Sequence, residues 1–214
     1  MYKRQRENTI IVFSSDHGPA PVVLANEKNK APDRIEFARN MLGTPGPFRG
    51  GKHTQWEGGV RVPFIIRWPG KVPADQVNTT SVISFMDWLP TLCKLTGTKN
   101  TAVDLDGEDV SDIWLGAKRT RTTPLFWRNS SPGGQVSLRT GDWKFHLRRK
   151  QAGGPLLYNL AKDPAESRNL VDEQPKLVHR LQRQATEWAD TLPKAYDKVE
   201  KPKKKDRPKR PRRD

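Results

Sequence analysis

Two places in the sequence put chemistry-capable side chains in a suitable setting. The first is Asp16-His17, which follows the apolar run Thr9-Ile10-Ile11-Val12-Phe13 by way of Ser14-Ser15 and precedes Gly18. In open α/β sheets, ligands bind off the carboxyl ends of strands. An aspartate there is a hard oxygen ligand for a divalent cation, and a histidine beside it adds a nitrogen ligand or a proton donor. The plainer reading has Asp16 capping the next turn with His17 packed against it. Spacing alone favours the plainer one, because two adjacent residues do not make a metal site.

The second place is Lys52, between Gly50-Gly51 and Gly58-Gly59. Glycines let backbone N–H groups approach an anion closely, and a lysine adds a point charge. That combination suits a sulfate or phosphate group. It is not a P-loop, since the Gly-Lys-Ser/Thr ending is absent. Arg49, His53 and Arg61 add positive charge nearby. Here too the plainer reading, a solvated turn with an exposed lysine, has the better claim while the segment stands alone.

Other reactive types carry less. Cys93 lies on the apolar side of a helical pattern beside Leu89 and Leu92, which marks it as an inert core thiol. His146 sits in a strand pattern and His179 on the last helical pattern, and both read as structural or exposed. Asn78-Thr79-Thr80 and Asn129-Ser130-Ser131 match the glycosylation sequon, a pattern short enough to arise by chance.

These residues need elements to place them. Thr9–Phe13 is a continuous β-branched run, the pattern of a buried strand in a parallel sheet with both faces covered. Such a strand needs neighbours on both sides, and the chain supplies few; this points to a truncated domain. Residues 19–48 read as a long loop with a helix over Pro32–Leu42. Val62–Trp68 reads as a second strand, stopped by Pro69-Gly70. Ser81–Leu95 reads as a helix ended by Gly97, with Val82, Phe85, Met86, Leu89, Leu92 and Cys93 on one stripe. Pro90 inside it predicts a kink or a restart capped by Asp87. Val110–Leu115 is a short helix ended by Gly116. Pro124–Arg128, Gln135–Thr140, Trp143–Arg148 and Leu156–Asn159 are strands of a small antiparallel sheet, with Gly141-Asp142 as a hairpin turn. Pro175–Leu192 is a closing helix with Leu177, Leu181, Trp188 and Leu192 on one stripe.

Composition sets bounds. The 214 residues suffice for one large domain or two small ones with a real core. The net charge is +15, but residues 197–214 alone hold ten Lys/Arg against four Asp/Glu, a net of +6. That segment predicts a disordered basic tail, either solubilising or a weak, salt-dependent binder of any polyanion. With one cysteine there is no intramolecular disulfide. No apolar run approaches a membrane span, and residues 1–8 lack the apolar stretch of a signal peptide.

The order of the pieces says more than any one of them. Asn8–Gly18 resembles the strand and metal-binding turn of formylglycine-dependent sulfatases, which are arylsulfatase-like members of the alkaline-phosphatase-like superfamily. Gly46-Pro47-Phe48-Arg49-Gly50-Gly51-Lys52 and Trp56-Glu57-Gly58-Gly59-Val60-Arg61-Val62-Pro63 through Gly70 resemble that family's second signature. Asp87-Trp88-Leu89-Pro90-Thr91-Leu92, Asp106-Gly107 with Asp112-Ile113-Trp114, Gly141-Asp142-Trp143-Lys144, Leu157-Tyr158-Asn159-Leu160, Asp163-Pro164 and Asn169-Leu170 follow in the family's order.

The resemblance implies an α/β fold. Residues 8–120 would be the C-terminal part of a mixed catalytic sheet, 121–195 a small antiparallel sheet packed by a helix, and 196–214 the tail. It implies that Asp16 and His17 ligate one calcium or magnesium ion and that Lys52 holds a sulfate oxygen. It implies hydrolysis of a sulfate ester, a small molecule or a sulfated carbohydrate, in the complete enzyme, and a periplasmic, secreted or lysosomal setting. The formylglycine nucleophile arises from a Cys/Ser-x-Pro/Ala-x-Arg motif, and no such motif occurs in these residues. The expectation is therefore an N-terminally truncated portion, inactive alone and lacking its N-terminal half. Two other readings stand beside it: a phosphatase or phosphonate hydrolase of the same superfamily, and a non-catalytic polyanion-binding protein using the basic tail.

Overall fold

The computed structural model describes residues 2–20, 43–99, 104–128, 135–148 and 153–192, with the backbone only for residues 2–4. The expected helix over 32–42, the sequon at 129–131 and the tail at 196–214 lie outside the described residues.

The described elements are α1 (Tyr2–Glu7), β1 (Ile11–Ser14), α2 (Glu57–Val60), β2 (Phe64–Arg67), α3 (Trp88–Thr96), α4 (Ser111–Trp114), β3 (Leu125–Arg128), β4 (Val136–Thr140), β5 (Trp143–Leu147), β6 (Leu156–Asn159) and α5 (Pro175–Thr191). They form two antiparallel sheets, a two-stranded pair β1-β2 and a four-stranded sheet β3-β4-β5-β6. The chain is thus a mixed α/β structure.

β1 corrects one expectation. It pairs antiparallel with β2, Phe13 opposite Ile65 and Val12 opposite Ile66, rather than lying in a parallel sheet. Alternate residues of a strand face opposite ways. The face carrying Phe64 is covered, with its ring 5.4 Å from Trp114 and 6.3 Å from Trp88. The other face, Ile11, Phe13 and Ile65, is exposed. The apolar run encodes two buried faces, and only one is covered among the described residues.

The helix expected from Ser81 begins later. Ser84 and Asp87 form a capping box: the Ser84 N–H donates to Asp87 Oδ2 at 2.7 Å and the Met86 N–H to Ser84 Oγ at 3.4 Å. This closes a 3₁₀ turn over Phe85–Asp87, and α3 follows. Pro90 sits in the first turn of α3, where its missing N–H has no intrahelical acceptor to lose. Asp87 precedes α3 but does not cap it with its side chain. Instead it is fully buried and gripped by the Arg121 guanidinium through both oxygens, with the Glu108 N–H adding a bond of 3.0 Å. The expected apolar stripe is also only partly inward, since Phe85, Met86 and Leu89 are exposed. Gly97 ends α3 in the left-handed region, φ 69°.

The four-stranded sheet follows the pattern read from the sequence. Gly141-Asp142 turns β4 into β5, with Thr140 opposite Trp143. Val136, Leu138, Phe145, Leu147 and Leu157 form its inner face against Leu181, Ala185 and Ala189 of α5. The Phe126 ring stacks on Trp188 at 4.8 Å. Each fully buried Val, Leu or Phe among them contributes about 1.5–3 kcal/mol.

Candidate functional site

The turn after β1 and the glycine-rich loop before β2 come together through backbone contact. The Gly18 N–H donates to Gly59 O at 2.9 Å, and the Lys52 N–H donates to Pro19 O at 2.8 Å. A Cβ on Gly18 would fall 1.8 Å from Gly58 O, inside any van der Waals limit. Only glycine allows this approach. Within the loop, Thr54 Oγ1 donates to Gly51 O at 2.7 Å, and the Gly58 N–H donates to Arg49 O at 2.8 Å. The Asp16-His17 pair and Lys52, at least 35 positions apart in the sequence, therefore lie on two segments that share hydrogen bonds.

His17 Nδ1 meets Gly18 O at 2.7 Å. A carbonyl only accepts, so Nδ1 carries the proton. The other nitrogen, Nε2, lies 3.3 Å from Asp16 Oδ2, and the Asp16 side chain is open to solvent. Nε2 and the carboxylate oxygen thus lie within contact distance of each other on the turn. Among the described residues, no group of three or more His, Cys, Asp or Glu that could hold a metal occurs.

Sequence reasoning missed the residues behind the loop. β4 and β5 place Ser137, Arg139, Lys144 and His146 on the sheet face opposite α5, with His146 facing Ser137 and Lys144 facing Arg139. An alternating strand with such residues reads as half-solvated. Here the loop covers them, and Ser137, Lys144 and His146 are fully buried. Glu57 answers the charge: its carboxylate accepts from Lys144 Nζ at 2.9 Å and from Arg139 Nη1 at 3.1 Å. Burial pushes this carboxyl up, but Lys144 and Arg139 outweigh it and hold its pKa below the ordinary 4.5. The Lys144 ammonium also lies 4.5 Å from the centre of the Trp127 ring.

His146 joins the same cluster. Gln135 Nε2 donates to its Nδ1, and its Nε2–H donates to Glu166 Oε1 at 3.2 Å. Ser137 Oγ lies 2.7 Å from Nδ1 and donates to Gln55 Oε1 at 2.6 Å. Burial lowers the His146 pKa, and the positive Lys144 and Arg49 add to this against Glu166. Glu166 Oε2 accepts the Glu57 N–H at 2.7 Å. The one available signal was Glu57 itself, an acid set between Trp56 and two glycines.

The other candidates fall outside this arrangement. Cys93 is half-buried on α3, and His179 is exposed on α5. Arg49 lies over the Trp56 ring at 3.9 Å, and Arg61 over Phe48 at 4.4 Å. No helix among the described residues is long and apolar enough to cross a membrane.

Comparison with known proteins gives a consistent picture. The Sulfatase family profile matches residues 2–98. Human Arylsulfatase A is 32% identical over 188 residues, which is 77% of this chain and 34% of that protein. N-acetylgalactosamine-6-O-sulfatase of Bacteroides thetaiotaomicron is 30% identical over 189 residues, 82% of this chain and 35% of that protein. A solved sulfatase structure described under glycosaminoglycan metabolism in Bacteroides thetaiotaomicron superposes with a TM-score of 0.65 at 26% identity, covering 87% of this chain and 39% of that one. The structure of Ps i-CgsB superposes at 0.71 over 90% of this chain and 39% of that one, a likeness of fold at 24% identity. The chain belongs to the sulfatase family. It spans about a third of the length of these curated relatives.

Proposed function

We propose that this chain forms the anion-contacting and part of the metal-binding side of a site that hydrolyses sulfuric esters. The observation that carries it is the Gly18–Gly59 and Lys52–Pro19 backbone pairing, which unites the Asp16-His17 turn with the lysine loop. In this reading Asp16 and His17 hold one calcium or magnesium ion. The proton on His17 Nδ1 and the 3.3 Å spacing of Nε2 and Asp16 Oδ2 suit that role. When bound, such an ion neutralises charge on a sulfate oxygen. Lys52 contacts another sulfate oxygen and stabilises the charge that grows as the S–O bond breaks.

The 214 residues contain no Cys/Ser-x-Pro/Ala-x-Arg motif, so in this reading the formylglycine nucleophile is not among them and the chain by itself turns over no sulfate ester. The substrate class is a sulfate ester, sulfated carbohydrates included; the name of the N-acetylgalactosamine-6-O-sulfatase relative supports the latter. In the same reading residues 8–120 complete a catalytic domain, 121–195 form a subdomain and 196–214 a basic tail.

Calorimetric titration of the full chain with calcium tests the metal role. Asp16→Asn and His17→Ala each weaken binding by about tenfold or more, while Lys52→Ala leaves it unchanged. Titration with sodium sulfate, followed by backbone amide NMR shifts of Gly50 and Gly51, tests the lysine: Lys52→Ala abolishes the shifts. Calcium heats that survive Asp16→Asn, or sulfate shifts that survive Lys52→Ala, overturn the corresponding assignment.

A further inference from the structure

The buried polar face of β3–β6 and the segment that follows β6 fasten both ends of the loop that carries Lys52. On one side of it, Arg49 donates to Glu166 O at 3.0 Å. On the other, Gln55 Nε2 donates to Gln135 O at 3.2 Å, and the Trp56 ring lies 4.3 Å from the His146 ring. Glu57 is the deepest of these contacts, bound to Lys144 and Arg139 by its carboxylate and to Glu166 through its N–H.

The loop between has no slack. A Cβ on Gly58 would meet Arg49 O at 2.5 Å, and one on Gly59 would meet Thr54 O at 2.3 Å. Glu166, fully buried, keeps a left-handed φ of 53° to reach Glu57 and His146. A non-glycine residue holds such a conformation only where its surroundings over-determine it.

We propose that Glu57 is a positioning residue for the Lys52 ammonium, and that the small sheet, through Lys144, and the segment after it, through Glu166, are working parts of the anion site. A lysine head group on a flexible four-carbon stem is placed only as well as the backbone that carries it. That backbone is held by Pro19 on one side and by the sheet, through Glu57, on the other. The proposal rests on the reading of Lys52 as a sulfate contact.

The test is sulfate titration of the full chain by amide NMR at constant ionic strength, with chloride as the balancing anion. Glu57→Gln alone leaves the Lys144 charge buried and unpaired and is prone to unfold. Glu57→Gln with Lys144→Met removes the fully buried pair and leaves Arg139, which keeps some contact with solvent, an amide oxygen to bond, so the fold is expected to be retained. The double variant is expected to keep a cooperative melt and to bind sulfate about tenfold more weakly or worse. Glu166→Gln, which keeps shape and one acceptor, is expected to weaken sulfate binding to a smaller degree without lowering the melting temperature to match. Sulfate affinity of the folded double variant within about twofold of the parent overturns the proposal. A parent chain whose sulfate response equals that of Lys52→Ala shows instead that the reading of Lys52 has failed.

Discussion

The Lys144 ammonium lies 2.9 Å from the Glu57 carboxylate, with both side chains withdrawn from solvent. An ion pair so placed is a poor source of net stability, yet breaking it is costly, because the survivor is a buried charge without compensation. Glu57→Ala or Lys144→Ala is therefore expected to destabilise the chain by about 3–5 kcal/mol, and Glu57→Gln combined with Lys144→Met by much less. Urea denaturation of the three variants checks this. Additive losses in the double variant would sink the coupling.

Gly18 and Gly107 are expected to be intolerant of any side chain. A Cβ at Gly107 would fall 2.0 Å from Met86 O, as one at Gly18 would fall 1.8 Å from Gly58 O. Both neighbours are backbone and cannot rotate away. Gly18→Ala is expected to cost at least about 1–3 kcal/mol and to separate the Asp16 turn from the lysine loop. Loss of calcium and sulfate binding together in a chain that still melts cooperatively is the expected signature. Gly70→Ala, where a Cβ meets nothing within 4 Å but φ is 74°, serves as a control for backbone strain alone.

Stability is expected to fall in two steps as the solution is acidified. His146 is buried neutral, so its pKa lies below the ordinary 6.5. The unfolded chain takes up that proton first, so stability is present above that value and is lost as pH falls below it. Glu57, with its pKa below 4.5, and Glu108 contribute stability that is present above about 4.5 and lost below it. At Glu108 burial pushes the carboxyl up, but hydrogen bonds from Arg119, Thr123 and Thr122 overcome this and hold it at about 2. Urea midpoints measured from about pH 7 down to about pH 3 resolve both steps. His146→Gln is expected to flatten the upper one. A parent profile with no slope there would contradict the neutral burial of His146.

The exposed apolar face of the β1-β2 pair is expected to drive self-association. Phe13 is 61% and Ile65 59% exposed, and they face each other across the pair. Flat apolar strand faces of this kind are aggregation sites. Phe13→Thr with Ile65→Thr is expected to shift the chain toward monomer in sedimentation velocity without lowering its melting temperature. Unchanged association would place the contact elsewhere, with Phe85 and Leu89 the next candidates.

Local patterns alone specified much of this protein. Each of β3 to β6 and α5 was legible because its signals are short-range: alternation, a Gly-Asp turn, a proline at the helix start and a repeating apolar stripe. Asp16-His17 and Lys52 were legible as residues, and as a family resemblance, because motif order survives in one dimension. What the sequence alone left open was decided by contacts between distant segments. The strand run Ile11–Phe13 specifies two apolar faces but not which neighbour covers each, so its antiparallel pairing with Ile65 and Ile66 emerged only in three dimensions. The stripe through Phe85 and Leu89 has helical spacing whether it faces a core or solvent. Glu57, Lys144 and Glu166 carry ordinary surface residue types. Only the tertiary structure brings them together, because a buried charge becomes tolerable when its partner arrives from the other end of the chain.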